Sequence, residues 1–519
     1  MRVLLRRAGL RWVGLLVLLL SGCNARQESP GLVVMAIESS PNNLDLRQGT
    51  DAQSERVGGL IFDALARKDD HFNLQPWLAS SWERPDALTW VFHLRDGVRF
   101  HDGRPLEAAD VAWTIRSMMD GTIVSGKTGS FAAVDRVETP GRLTVVVRMK
   151  RPDAALLFNM SDGLFGVVPR GAGRDFGMHP VGSGPYKFVS AVQDKEVVLE
   201  RNADYWGGWP ELPAGGQRIE RVRFAVVPDA ITAALEMKKG SADVESNVLT
   251  LDMVHALQEA PNLKVESRPS SIAIYMTLNV QDPVLKDRRV RQAMALAIDK
   301  APIIDALWRG QARPAATLLP EGHWAAATAG EIPVYPHNVV RAEKLLDEAG
   351  FRPGKDGVRL RVTLKTSTDE TTRLLAAVLQ QQMRTVGIEL TLRSAEFGTF
   401  YADITKGAFQ MYILRWIGSN EDPDIFRYAY ATASFPPKGG NRGRYSNPQV
   451  DALIEKATGE TDEGLRRADY VEIQRIVAED LPVIPLWYPN NEIVHGLRLH
   501  GVTPRASGTF DFLREAWLR

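Results

Sequence analysis

The sequence predicts an α/β protein of more than one domain, and three observations carry that prediction. Short β-like runs alternate with amphipathic helical runs along the chain. Glycines stand where a left-handed residue would end a helix. The length, 519 residues, exceeds what one hydrophobic core organises, so two or three domains are expected. In chain order, 33–37 and 88–94 read as strands, and 108–119 as a helix with Val111, Ile115, Met118 and Met119 on one face. A strand follows at 143–149, then a hairpin of 185–192 and 196–201 around Gln193-Asp194-Lys195. The strand 223–227 leads into a helix over 229–239 that Gly240 stops. Helices over 339–349 and 371–386 end at Gly350 and Gly387. The strand 360–365, the second of these helices and the strand 388–392 form a βαβ unit, which implies a parallel sheet in the C-terminal half.

Composition narrows the class. Hydrophobic residues at 44% and charged residues at 24% are globular values without a disorder signature. Lys+Arg and Asp+Glu balance at 63 each, so the basic stripe that a nucleic-acid partner would require is not expected. The N-terminus departs from this balance. Arg2, Arg6, Arg7 and Arg11 form a positive segment, and 12–20 is apolar but too short to span a bilayer as a mature helix. Ser21-Gly22-Cys23 then resembles a bacterial lipobox, in which cleavage before the cysteine exposes a thiol for acylation. The expectation is a signal peptide over 1–22, lipid on Cys23 and a polar tether over 23–30, placing an exported protein at a membrane surface. The competing reading of Cys23 is a small buried hydrophobe. Removal of the signal arginines leaves a slightly acidic body without cysteine pairs, so a large core has to stabilise it.

The run Phe92-His93-Leu94-Arg95-Asp96-Gly97-Val98-Arg99-Phe100-His101-Asp102-Gly103-Arg104-Pro105, followed by Ala109-Asp110-Val111, carries more information than any single element. It resembles the signature of family 5 extracellular solute-binding proteins. The resemblance recurs upstream in Pro41-Asn42-Asn43-Leu44-Asp45 and Ile61-Phe62-Asp63-Ala64-Leu65. It recurs downstream in Gly182-Ser183-Gly184-Pro185-Tyr186, Arg201-Asn202-Ala203-Asp204-Tyr205-Trp206, Arg288-Arg289-Val290-Arg291-Gln292-Ala293-Met294 and Ile298-Asp299-Lys300. Trp416, Asp422-Pro423-Asp424, Tyr445-Ser446-Asn447-Pro448 and Asp480-Leu481-Pro482-Val483-Ile484-Pro485-Leu486 complete it. What the resemblance implies is a two-lobed, periplasmic-binding-protein-like α/β fold that captures a small solute, by expectation a peptide. The same resemblance implies delivery to an ABC permease with its ATPase subunits, by a monomer that uses no cofactor and no metal. It places lobe I at 31–68, 182–275 and 490–519, with a subdomain of 69–181 inserted, and lobe II at 276–489. The two crossings near 275 and 490 would form the hinge.

The site residues also follow from the resemblance. In peptide-binding relatives, the segment matching Arg415-Trp416-Ile417-Gly418-Ser419-Asn420 lines the cleft, and an aspartate there pairs with the peptide α-amino group. The aligned position here is Ser419, and a buried ammonium without a carboxylate is costly. Glu421, Asp422 or Asp424 could take the role, although Asp422-Pro423-Asp424 also reads as a turn. Trp416 is expected as a cleft wall and Arg415 as a partner for a carboxylate. Asn420, Tyr275, Tyr488 and Phe131 complete the expected set. A glycoside or metal chelate stays open as the solute.

Two enzymatic readings compete. Gly121-Thr122-Ile123-Val124-Ser125-Gly126-Lys127-Thr128 matches the phosphate-loop pattern, but a helix precedes it where the mechanism requires a strand. Gly182-Ser183-Gly184 lacks the outer glycines of a nucleophile elbow and precedes a strand, which leaves Ser183 a marginal nucleophile for a secreted hydrolase. The nine histidines, His93 and His101 included, show no metal-ligand spacing.

Overall fold

The structure is a computed structural model that describes residues 31–49, 51–246, 248–416, 421–436, 438–460 and 462–519. Cys23, the segment before it and the tether lie outside the described residues, as do Ser419 and Asn420. Among the described residues, no helix is long and apolar enough to cross a membrane.

A twelve-stranded mixed sheet runs through the molecule. At one end the strand Leu32–Ile37 lies parallel to Arg221–Val226, which pairs with the hairpin Tyr186–Val192 and Glu196–Arg201. At the other end Leu360–Ser367 lies in register and parallel with Ile388–Ala395. The helix between them, Glu370–Arg384, starts at Asp369, whose side chain accepts from the Thr372 N–H, and Gly387 at φ 78° turns the chain into the next strand. The helices Ala108–Met119, Ala230–Lys239 and Val339–Glu348 stand where sequence periodicity puts them. The expected parallel C-terminal sheet is mixed instead. Met411–Trp416 runs parallel to Leu360–Ser367 but antiparallel to Ala273–Leu278, because the chain enters this half from the other one without a helical crossover.

The two halves share one strand. Val483–Gly496 pairs through residues 483–489 with Ala273–Leu278 and Ala312–Pro314, and through 490–496 with Val244–Ser246 and Leu263–Pro269. The second connection is the short turn between Pro269 and Ala273. Ser270 Oγ donates to the Pro489 carbonyl at 2.6 Å, fastening the two passages side by side. A separate antiparallel sheet, in the order Ala79–Asp86, Thr89–Leu94, Thr144–Met149 and Val134–Gly141, packs under the helix Ala108–Met119 with its own apolar core.

Asp63 ties that sheet's base to the first half. Its buried carboxylate accepts from Trp77 Nε1, Ser183 Oγ, Tyr205 Oη and Trp206 Nε1, each at 2.8 Å. Four donors fill the acceptor capacity of one carboxylate. The approach is close enough that a Cβ on Gly182 would sit 1.9 Å from the Ile61 carbonyl oxygen, so no larger residue fits there. Three of the motifs that carry the family resemblance therefore meet at one acceptor. Asp63→Asn would leave a donor facing donors and is expected to lower stability by about 2–4 kcal/mol in denaturant unfolding; a wild-type midpoint and slope would show that the hub is dispensable.

Glu245, on the strand Val244–Ser246, is fully buried, and its Oε1 meets no partner among the described residues. Burial raises its carboxyl to about 8, against the N–H groups of Val248 and Leu249, with Glu492 adding to the rise. The folded chain therefore keeps a proton that the unfolded chain releases near 4.5. The stability this group contributes is complete below that value and is lost as pH rises through about 8. Glu245→Gln imitates the protonated form, so its melting temperature should gain on the wild type between about pH 5 and pH 8. A difference that does not change across that range would contradict the assignment.

Candidate functional site: an interlobe cleft

A cleft of about 920 Å³ lies between the segment 126–164 and the C-terminal half. That volume is at the upper end of small-ligand sites, roughly 300–1,000 Å³. One wall is Gly126, Gly129, Ser130, Phe158, Asn159 and Leu164. The facing wall comes from the end of the strand Met411–Trp416 and from the helices Phe397–Lys406 and Ile425–Tyr430.

Aromatic side chains dominate the second wall. The strand pairing puts Tyr275 and Trp416 on one face, where their rings stack at 5.5 Å and 15°. Tyr428 meets Trp416 edge-on at 5.8 Å and keeps 42% of its surface exposed. Phe397 and Tyr401, four apart on one helix, are 54% and 40% exposed while Phe400 and Ile404 fill the core. Aromatic faces left open inside a cleft offer stacking surface with little rotamer entropy to lose. Gly440 makes the fit possible, since a Cβ there would lie 2.3 Å from Tyr428 Cε1. Asn441 holds the next turn by donating to the carbonyls of Tyr430, Ala431 and Tyr445 and accepting from the Tyr445 N–H. That clamp delivers Arg442 to the cleft base, where its Nη2 donates to Tyr401 Oη at 2.7 Å.

The acidic residues expected to replace the missing aspartate are already engaged. Glu421 forms a buried ion pair with Lys68 at 2.7 Å and accepts from Ser271 Oγ at 2.8 Å. Asp424 pairs with Arg427 at 2.5 Å and precedes the helix Ile425–Tyr430. Asp422 accepts the Asp424 N–H and faces Arg466 at 3.8 Å, so Asp422-Pro423-Asp424 is the turn that opens that helix. Burial raises the Asp422 carboxyl to about 6, with Arg466 opposing the shift.

Of the expected site residues, Tyr275, Arg415, Trp416 and Asp422 line the cleft. Arg415 is exposed, and Trp416 is mostly buried in the core of its half. Two expectations are corrected. Tyr488 is buried, with its hydroxyl donating to the carbonyls of Thr317 and Leu319 at 2.6 and 2.7 Å, so sheet packing uses the group assigned to solute. Phe131 packs against Phe165 in the core beneath the wall, and its neighbours Gly129 and Ser130 face the cleft instead. Tyr428, Phe397, Tyr401, Phe158, Lys438 and Arg442 also line the cleft and were not among the expected residues. The spacing of Phe397 and Tyr401 beside the core pair Phe400 and Ile404 was the one legible signal, because it marks a helix with aromatics outside its buried stripe.

The rival motifs are structural. Lys127 Nζ donates to the Leu164 carbonyl and pairs with Glu55, Thr128 Oγ1 donates to the Met118 carbonyl, and the helix Ala108–Met119 precedes the loop. Ser183 donates its hydroxyl proton to Asp63 and is fully buried.

Comparison with known proteins decides the family. Residues 73–436 match the middle region of the bacterial extracellular solute-binding proteins of family 5. The chain belongs to family 5. It is 30% identical to di/tripeptide-binding protein 4 of Pseudomonas aeruginosa over 91% of this chain and 92% of that one. Among solved structures it resembles the oligopeptide-binding protein AppA of Bacillus subtilis in complex with a nonapeptide, at 25% identity and a TM-score of 0.75, covering 94% of this chain and 99% of that one. It also resembles NikZ of Campylobacter jejuni in complex with Ni(L-His), at 25% identity and a TM-score of 0.79, with the same coverage.

Membership of family 5 makes the protein an extracellular or periplasmic solute-binding component of an ABC importer with a two-lobed fold. Among the described residues, several contacts join the segment 68–154 to the C-terminal half. Besides Lys68–Glu421, the Ala154 N–H donates to the Thr458 carbonyl at 3.0 Å, and Phe72 stacks on His323 at 6.0 Å. The ion pair is the contact with most to lose, because removing one buried partner strands the other charge. Glu421→Gln is therefore expected to increase the radius of gyration of the unliganded protein in X-ray scattering, since opening rehydrates Lys68. An identical profile for variant and wild type would mean that the pair does not hold the lobes together.

Proposed function

We propose that the protein captures a short peptide or peptide-like solute in the interlobe cleft, closes around it and passes it unchanged to an ABC permease and its ATPase subunits. The supporting observation is the wall formed by Tyr428, Phe397 and Tyr401, which faces Gly126, Gly129, Ser130 and Asn159 together with the apolar Phe158 and Leu164 across a volume suited to a few residues of extended chain. The printed ligands of the relatives, di- and tripeptides and a nonapeptide, agree with that reading. Binding needs no bond to break, so the protein acts as a receptor and not as an enzyme. Closure reports occupancy only to the extent that the solute prefers the closed form. The lobes are taken as 31–68, 182–275 and 490–519 with 69–181 inserted, against 276–489, and the anchor as lipid on Cys23 of an exported monomer.

A second reading concerns the solute's amino end. Ser419 stands at the family's aspartate position, and Glu421, Asp422 and Asp424 are engaged by Lys68, Arg466 and Arg427. This favours a solute without a free ammonium group, such as an N-blocked peptide. Native mass spectrometry of the purified protein identifies any retained solute, and calorimetry measures it. Trp416→Ala would remove core packing, typically about 3–5 kcal/mol, so the cleaner variant is Tyr428→Ala. It is expected to weaken binding about tenfold with the fold intact. Unchanged affinity would remove Tyr428 from the site, and hydrolysed peptides in the incubation would replace the receptor reading with an enzymatic one.

A further inference from the structure

The base of the cleft holds a cation that no carboxylate of the described residues neutralises. Arg442 is 6% exposed, and its Nη1 is buried without a hydrogen-bond partner among the described residues. The guanidinium lies beside the Tyr412 hydroxyl, 5.0 Å from the Tyr401 ring centre and 5.9 Å from that of Trp416. No carboxylate among the described residues pairs with it. Among the described residues a further buried donor close to it, Trp416 Nε1, also lacks an acceptor, and the buried Tyr275 hydroxyl has the Tyr412 hydroxyl as its neighbour. All three residues line both the cleft and a small cavity of about 10 Å³ behind it. Arg415 and Lys438, on the same wall, form no ion pair among the described residues, whereas the carboxylates of Asp422 and Asp424 are engaged.

We propose that Arg442 receives a carboxylate of the solute, and that the cleft selects an anionic, peptide-like acid. This rests on the peptide reading and extends it to the solute's charge. The fork of a guanidinium matches a carboxylate in two parallel hydrogen bonds, and burial against aromatic faces keeps water from competing. The indole N–H beside it, like the guanidinium, can only donate, so the local chemistry calls for an acceptor. The alternative occupant is one ordered water, for which a cavity of about this size is marginally sufficient.

Calorimetry with acetyl-Ala-Ala-Ala and its C-terminal amide tests the assignment in the wild type, without any variant. The acid is expected to bind about 100-fold tighter than the amide. Arg442→Gln should abolish that preference, and Arg442→Lys should keep part of it, which separates charge recognition from misfolding. Equal binding of acid and amide by the wild type, or a preference that survives in Arg442→Gln, would overturn the proposal and leave a resident water as the occupant. If neither peptide binds, the peptide reading fails by itself. The carboxylate site is then judged with glutarate: a thermal shift in the wild type that Arg442→Gln loses sustains it, and no shift in the wild type ends it.

Discussion

The geometry of the cleft depends on one constraint, that a single extended strand is hydrogen-bonded into both halves of the molecule. Val483–Gly496 contributes half of its ladder to each side, and its pairing partners change at Pro489 and Asn490. A strand so engaged cannot slide, because a shift of one residue would turn every side chain to the opposite face. Rotation is left to the few residues between ladders. Ser270, bonded to the Pro489 carbonyl, ties the other passage to the same place. A hinge at this place would confine relative motion of the halves to a narrow axis behind the cleft.

Much of this architecture is legible in the sequence because local chemistry dictates it. The helix Glu370–Arg384 announces its ends through Asp369 and Gly387, and the strands beside it through alternation. The motifs around Asp63, Ser183 and Tyr205 are recognisable in the chain for a reason the structure supplies. They converge on one carboxylate, so none can change alone without leaving a buried polar group unpaired. The strand directions in the C-terminal half are not legible, since a run such as 411–416 reads the same whichever way its neighbour points.

The site was less legible than the fold. Tyr488 and Tyr275 look alike in sequence, each in a β-like run near a crossing, yet only Tyr275 reaches the cleft, because the carbonyls of Thr317 and Leu319 occupy the Tyr488 hydroxyl. Arg442 gives no sequence signal at all. It sits in a polar, glycine-rich turn that reads as surface, and only the Asn441 clamp and the close approach at Gly440 carry it inward. Burial of a charge is a property of tertiary contacts many residues away, so periodicity cannot reveal it.

If a solute carboxylate binds Arg442 as proposed, electrostatics links occupancy to closure. In the closed arrangement Lys68–Glu421 favours contact between the lobes, while Arg442 faces a space from which closure removes water. The two act in opposite directions when the cleft is empty, since an ion pair gains and an unpaired cation loses as the local dielectric falls. An anion at Arg442 reverses the second effect and leaves the first in place. The solute would thus interact more favourably with the closed form than with the open one, and that difference is what shifts a two-state equilibrium. A neutral solute of the same shape would gain the aromatic contacts of Tyr428 and Tyr401 but would leave the guanidinium uncompensated. On that proposal, affinity for the cleft and the ability to close it are separable properties, and the second depends on charge.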